Sequence, residues 1–103
     1  MLLSNAFSIN MLNNPDVYYS FSQISLDLAK DYASQGFTSA VGHPDTAVIF
    51  TDQLGMDVPT NRVTVTDPDL MLVGQYSGPR LPAGCSVLPD GAAIQWWLVS
   101  KIS

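Results

Sequence analysis

Residues 37–55, Phe-Thr-Ser-Ala-Val-Gly-His-Pro-Asp-Thr-Ala-Val-Ile-Phe-Thr-Asp-Gln-Leu-Gly, contain the clearest strand-to-helix transition in the chain. The apolar start predicts a strand over Phe37–Val41, and the Gly-His-Pro-Asp sequence that follows predicts a tight junction. Asp45 is placed to cap a helix over Thr46–Leu54, which the following glycine ends. A strand that leads directly into a helix is typical of a sheet with helices packed against it.

The rest of the chain continues this alternation. The composition and turn signals predict strands at Met1–Ser4, Val17–Phe21, Arg62–Thr66, Leu70–Tyr76 and Ile94–Ile102, and a helix over Leu26–Gln35. The third and fourth of these strands are predicted to form a hairpin. Interleaved strands and helices predict an α+β fold, a mixed central β-sheet flanked by α-helices. The 103 residues predict one small domain over 1–103, because they cannot fill two cores.

The charge of the chain limits its partners. The formal net charge is −5, and the only cationic side chains besides histidine are Lys30, Arg62, Arg80 and Lys101. Binding to duplex nucleic acid needs a basic face, so that class of partner is excluded. A small anionic ligand stays open, because helix N-termini and backbone N–H groups hold phosphates without many cationic side chains.

Targeting signals are lacking in this sequence. Met1-Leu2-Leu3 is followed directly by polar residues, which is unlike a signal peptide, and no apolar run approaches the ~20 residues of a membrane helix. With Cys85 as its only cysteine, the chain cannot form an internal disulfide. We therefore expect a cytoplasmic protein that does not bind membranes.

His43 is the only histidine and the first candidate for catalysis. A lone histidine often serves only a local hydrogen bond, but this one lies between a strand end and a helix start, where ligands gather in open α/β sheets. The N–H groups of Thr46 and Ala47 are expected to point the same way and attract phosphate. A nearby phosphate would favour the imidazolium form, which a general acid requires.

The other candidates have structural explanations of equal weight. Arg80 lies in a Gly-Pro-Arg-Leu-Pro-Ala-Gly loop and is either a solvated surface residue or a bidentate phosphate clamp. Asn5, Ser8 and Asn10 are explained as well by turn formation as by ligand contact. Arg62, at the start of a predicted strand, is interpreted as structural.

Metal and nucleotide motifs do not appear in the sequence. One histidine and one cysteine form no transition-metal cluster, and neither phosphate-binding glycine motif is present. Asp67-Pro68-Asp69 lacks the remaining ligands of a calcium loop. Trp96-Trp97 is interpreted as core plus an interface edge, because aromatic residues on a strand usually pack. We therefore expect neither a metal nor a cofactor.

Four segments together resemble the small viral anti-CRISPR ring nucleases and their bacterial relatives. Leu-Ser-Asn-Ala-Phe-Ser-Ile-Asn-Met-Leu at residues 3–12 resembles the N-terminal signature of that family, and Ala-Val-Gly-His-Pro-Asp-Thr-Ala at 40–47 resembles its second signature. Asn61-Arg62-Val63 and Arg80-Leu81 followed by Gly84 occur in the same order and at similar spacing. The four segments span most of the chain.

The resemblance implies a two-fold homodimer whose central pocket binds cyclic tetra-adenylate, the second messenger of type III CRISPR defence. It also implies cleavage without a metal: a ribose 2′-hydroxyl attacks the adjacent phosphorus and the 5′-oxygen leaves. The products are linear di-adenylates with a 2′,3′-cyclic phosphate. By resemblance, catalysis falls to His43, Arg80 and Ser8, and ligand contacts to Asn5, Asn10, Gly42, Thr46, Ala47 and Ala83.

One position departs from the family pattern. The family reads Arg-Leu-x-Glu-Gly in the arginine loop, with the glutamate in its active site, whereas this chain has Ala83 there. Asp45 and Gln75 are both candidates to compensate. Two functions therefore stay open, a ring nuclease and a binding protein that sequesters the messenger with negligible cleavage. An unrelated dimeric scaffold is the third alternative.

Overall fold

The strand-to-helix unit at residues 37–55 forms, but its helix begins earlier than predicted. In the computed structural model, which describes residues 1–80 and 84–102, the helix is Pro44–Leu54 with His43 as its N-cap. The predicted capping by Asp45 is therefore wrong. Proline suits the first helical position because it lacks an N–H and its φ is already helical. Gly55 ends the helix in the left-handed region at φ 71°, as predicted.

The described residues form five strands and two α-helices. In chain order they are β1 (Leu2–Ser4), a 3₁₀ turn (Ile9–Met11), β2 (Tyr19–Ile24), α1 (Leu26–Ser34), β3 (Thr38–Ser39), α2 (Pro44–Leu54), β4 (Leu70–Ser77) and β5 (Ala93–Lys101). Ser25 caps α1, its Oγ accepting the Leu28 N–H at 3.2 Å.

The strands make one mixed sheet in the order β2-β5-β4-β1-β3. β1 is parallel to both of its neighbours, so that Leu3 lies opposite Ser39 of β3 and Leu72 of β4. The pairs β4–β5 and β5–β2 are antiparallel. The α+β fold with a mixed sheet and flanking helices is thus confirmed.

The hairpin predicted for residues 62–76 is wrong. Residues 56–69 contain no strand, and Val63 is 48% exposed. Both edges of β4 are already occupied, by β1 and by β5, so no edge is left for the preceding segment. That segment instead runs beside the end of β3, where the Asn61 N–H donates to the Val41 carbonyl at 2.8 Å.

The main core lies between one face of the sheet and the two helices. Leu3, Leu72 and Trp96 of the sheet pack with residues of both helices, including Ala29 and Phe50. The side of α1 that faces the sheet carries two buried alanines, Ala29 and Ala33. Small side chains there let α1 approach the sheet closely. Burial of this apolar surface supplies most of the driving force for folding.

The opposite face of the sheet is covered by other segments of the chain and not by the two α-helices. Met71, Val73 and Val99 pack there with Phe7 and other half-buried side chains. The interpretation of the tryptophan pair as core is confirmed for Trp96, which is 2% exposed, while its half-buried neighbour packs on this second face. We call this second face of the sheet, opposite the two α-helices, the helix-free face.

Hydrogen bonds attach the 3₁₀ segment to the residues that precede β4. The Asp67 N–H donates to the Met11 carbonyl at 2.6 Å, and Asp67 Oδ1 accepts the Asn13 N–H at 2.9 Å. Tyr19 donates its hydroxyl to the Pro68 carbonyl at 2.7 Å. Burial raises the pKa of the Tyr19 hydroxyl, and the nearby carboxylates of Asp67 and Asp69 raise it further.

No helix in the part of the chain that the structure describes is long and apolar enough to cross a membrane.

Gly74 tests this account of the core. A Cβ at Gly74 of β4 would lie 2.6 Å from Phe50 Cζ and 2.8 Å from Trp96 Cζ3. We expect Gly74→Ala to lower the free energy of unfolding by about 1–3 kcal/mol, measured by urea denaturation, because over-packing strains a close-packed interior. In a double-mutant cycle, Phe50→Leu should make the alanine less damaging. Strictly additive losses would show that the clash is not with Phe50.

Candidate functional site

Three of the predicted site segments leave the same edge of the sheet. β1, β3 and β4 are parallel, so their carboxyl ends point the same way. Asn5 directly follows β1, Gly42 and His43 follow β3, and Arg80 follows β4. Ligands of open α/β sheets bind outside the carboxyl ends of the strands. The topology therefore brings these segments to one edge, which we call the carboxyl edge.

The start of α2 presents His43 to solvent. His43 is exposed, and its side chain makes no capping hydrogen bond to the helix. Its carbonyl accepts the Ala47 N–H at 3.0 Å, and Ala47 itself is buried, so the expectation of a free N–H at Ala47 is wrong. Within residues 1–80 and 84–102, no acceptor takes the N–H of Asp45 or Thr46. The positive end of the helix is thus directed at the carboxyl edge.

Arg62 lies against the junction between β3 and α2, which the sequence analysis did not foresee. Its Nε donates to the Gly42 carbonyl at 2.9 Å. A Cβ on Gly42 would come within 3.1 Å of Arg62 Cγ, so the glycine allows this close approach. Nε is the only guanidinium nitrogen engaged by the described residues, and the side chain is exposed. The glycine before His43 was the one sequence signal for such an approach.

A polar network around Ser39 holds residues 59–62, the segment that contains Arg62, in place. Ser39 is 4% exposed, and its Oγ donates to the Pro59 carbonyl at 2.6 Å while accepting the Val41 N–H at 3.2 Å. Asn61 Nδ2 donates to the Ser39 carbonyl at 2.7 Å. These bonds fasten residues 59–62 along the end of β3, because buried polar groups are stable only when paired.

The arginine loop that follows β4 is attached at two points. Tyr76 donates its hydroxyl to the Pro79 carbonyl. Beyond it, the Gly84 N–H donates to Asp45 Oδ2 in the first turn of α2 at 3.1 Å. Arg80, between these points, is exposed. Ala83, where the family has its glutamate, lies outside the described residues, so its predicted ligand contact is not tested.

Beyond Asn5, which follows β1 at the carboxyl edge, the candidates Ser8 and Asn10 belong to the 3₁₀ segment on the helix-free face. Ser8 caps the 3₁₀ turn, its Oγ accepting the Asn10 N–H at 3.2 Å. Phe7 contacts the rings of Tyr19 and Phe21, each at 5.3 Å between centroids, which places this segment on the helix-free face. No hydrogen bond among the described residues joins Asn5, Ser8 or Asn10 to the start of α2. Within one chain, Ser8 and Asn10 form a second group on the helix-free face.

The chemistry of the carboxyl edge suits an anion. An exposed imidazole, a guanidinium held at the junction and a helix N-terminus lie together, and a second arginine is carried on a loop bonded to the same turn. Arg62 and Arg80 are two of the four arginine and lysine side chains in the sequence. Both belong to this edge, although the chain as a whole has a net charge of −5. Among the described residues, no three histidine, cysteine or acidic side chains are grouped to hold a metal ion.

The chain is a small mixed-sheet α+β protein in which His43 and Arg62 lie beside the start of a helix. The model of the STIV B116-like family matches residues 1–90, and the chain belongs to that family. Among solved structures, it is similar to B116 of Sulfolobus turreted icosahedral virus. The two are 25% identical with a TM-score of 0.78, over 96% of this chain and 97% of the viral chain. Curated proteins give no match.

Ser39 offers a test of how the site is supported. Ser39→Ala removes a donor and an acceptor from the buried network and leaves the Pro59 carbonyl and Val41 N–H without their partner. We expect the free energy of unfolding to fall by about 1–3 kcal/mol in chemical denaturation. Thr38→Ala, at the exposed neighbouring position of β3, is the matched control and should change it by less than about 0.5 kcal/mol. Equal losses from both substitutions would contradict the role of the network.

Proposed function

We propose that this protein is a metal-independent ring nuclease that binds cyclic tetra-adenylate and cleaves it to linear di-adenylates bearing a 2′,3′-cyclic phosphate. Cleavage would switch off type III CRISPR signalling. The observation that carries the proposal is the start of α2, where an exposed His43 stands beside Arg62 and a turn bonded to the Arg80 loop. The identity of the proposed ligand comes from the resemblance of the N-terminal and Gly-His segments to those of ring nucleases.

In the proposed reaction, a ribose 2′-hydroxyl attacks its own neighbouring phosphorus. A 2′-oxygen–phosphorus bond forms, the bond from phosphorus to the 5′-oxygen breaks, and the 2′-hydroxyl proton passes to solvent. His43 as imidazolium donates a proton to the leaving 5′-oxygen, which is general acid catalysis. Arg80 stabilises the charge on the pentacoordinate transition state. Ser8 orients the ribose for in-line attack.

We further propose that the active form is a homodimer. Within one chain, Ser8 and Asn10 on the helix-free face make no described hydrogen bond to the start of α2. A second copy related by a two-fold axis would supply a second set of each group to a two-fold ring. A dimer would also bring two Arg62 and two Arg80 side chains to the four phosphates of the ring. Light scattering should then give twice the 11.1 kDa chain mass.

A second candidate function rests on Ala83. With no carboxylate at that position, a protein of this fold could retain the messenger without turning it over and act as a sponge. His43 favours the enzyme, because a sponge needs no proton donor. In either case, we expect the ligand to be met in the cytoplasm, that of the host if the protein is viral.

His43→Ala separates the two functions. Because the His43 side chain makes no capping bond, the substitution should leave the free energy of unfolding unchanged. We expect the single-turnover cleavage rate to fall about 10²–10⁴-fold, the usual contribution of a general acid, with affinity for cyclic tetra-adenylate retained. Gel-resolved cleavage and a native-gel binding lane measure the two. Added imidazole should restore part of the rate. Wild-type turnover by the variant would remove His43 from the mechanism.

Ala83→Glu tests the departure from the family pattern. If the missing carboxylate slows a working site, the variant should cleave cyclic tetra-adenylate about tenfold faster than wild type, a gain of roughly 1.4 kcal/mol in transition-state stabilisation. Ala83→Gln is the matched control, because glutamine has the same length as glutamate but carries no charge. This variant should not accelerate cleavage. An unchanged rate in both variants would show that the chain does not use a carboxylate at this position.

A further inference from the structure

One described side-chain hydrogen bond connects the loop that carries Arg80 to the helix that begins at His43. The Gly84 N–H donates to Asp45 Oδ2 at 3.1 Å, across 39 positions of sequence. Two of the three proposed catalytic residues are therefore connected to the same turn, His43 directly before it and Arg80 through the loop that this bond holds. We call this contact the Asp45 tether.

Packing does not hold the loop at this point. Gly84 is exposed, and no atom of the described residues that Gly84 could pack against lies within 4 Å of the position where its Cβ would be. Its φ of 79° is in the left-handed region, a backbone shape that glycine adopts readily and other residues resist. A residue without side-chain packing depends on its few polar contacts for a defined position, and such positions open locally at small free-energy cost.

The two ends of the loop are held in different ways. At the β4 side, Tyr76 donates its hydroxyl to the Pro79 carbonyl, directly before Arg80. At the other side, the Asp45 tether joins Gly84 to α2. The Tyr76 contact lies within one turn of the chain and fixes only local shape. The tether alone, among the described hydrogen bonds, relates the loop to the element that presents His43.

We infer that Asp45 is a positioning residue, whose carboxylate fixes the Arg80 loop at the start of α2 and so sets the guanidinium in relation to His43. The inference rests on the proposed ring-nuclease function for its kinetic consequence. The carboxylate itself touches no reacting atom. It also places a negative charge beside an anion site, so its presence lowers affinity for a phosphate ligand while its hydrogen bond raises the cleavage rate.

Two substitutions separate the hydrogen bond from the charge. Asp45→Asn keeps an oxygen that accepts the Gly84 N–H but removes the charge, whereas Asp45→Ala removes both. Asp52→Ala is the matched control, because Asp52 is an exposed carboxylate on the same helix without a described bond to the loop. All three variants lose one negative charge, so differences among them do not come from net charge.

Limited trypsin digestion tests, in the absence of ligand, whether the Asp45 tether holds the loop. Trypsin cleaves after Arg80, and cleavage after the exposed Arg62 provides an internal reference in the same chain. We expect the ratio of Arg80 to Arg62 cleavage to rise about two- to tenfold in Asp45→Ala, as losing one hydrogen bond implies. The ratio should stay at the wild-type value in Asp45→Asn and Asp52→Ala. An unchanged ratio in Asp45→Ala would overturn the inference.

Single-turnover cleavage of cyclic tetra-adenylate gives the functional half of the test. Asp45→Ala should slow cleavage about tenfold, equivalent to ~1.4 kcal/mol, without weakening binding, and Asp45→Asn should restore the rate. Slow cleavage by both variants would overturn a role through the hydrogen bond. If wild type neither binds nor cleaves the ring, the proposed function fails and the kinetic role of Asp45 fails with it, while the trypsin ratio still decides the tether.

Discussion

The structure depends on the parallel pairing of a three-residue strand, β1, with β3 on one side and β4 on the other. Because both neighbours run in its direction, the segments that follow all three strands leave at one edge. Leu3, at the centre of β1, is fully buried between the sheet and the helices. This short interior strand cannot be moved without losing the carboxyl edge, so the position of the candidate site is fixed by the same contacts as the core.

Much of this fold could be predicted from the sequence, because the signals are local. Ser25 caps α1, and Gly55 ends α2 with a positive φ, as residue type alone implies. The failure at residues 62–66 has a physical cause that no local pattern contains. Alternating valines indicate a strand, but a strand needs a free edge to pair with, and both edges of β4 are taken.

The candidate site divides in the same way. His43 could be singled out because a lone histidine at a strand-to-helix junction is visible in the sequence. Arg62 could not, since its bond to the Gly42 carbonyl depends on the polar network around Ser39, which joins segments some twenty positions apart. Asp45 was considered as a helix cap, but the proline before it moves the cap to His43 and leaves the carboxylate to the arginine loop.

In the proposed function, a chain of acidic net charge binds an anionic ligand through the local arrangement of a few groups rather than through net charge. Helix and backbone donors do not appear in a count of charged residues, and a guanidinium held by its Nε keeps its remaining nitrogens for a phosphate. In such a site, the geometry of a few groups decides both affinity and rate. That is why a single hydrogen bond to Gly84 has a consequence for the proposed chemistry.

The most direct test of the account is a single-turnover incubation of radiolabelled cyclic tetra-adenylate with excess protein in EDTA, resolved by gel beside a native-gel binding lane. A ring nuclease should bind the ring and then convert it to linear di-adenylate with a 2′,3′-cyclic phosphate. A ring that is retained but uncleaved would make the protein a sponge, and absence of binding would contradict the account altogether.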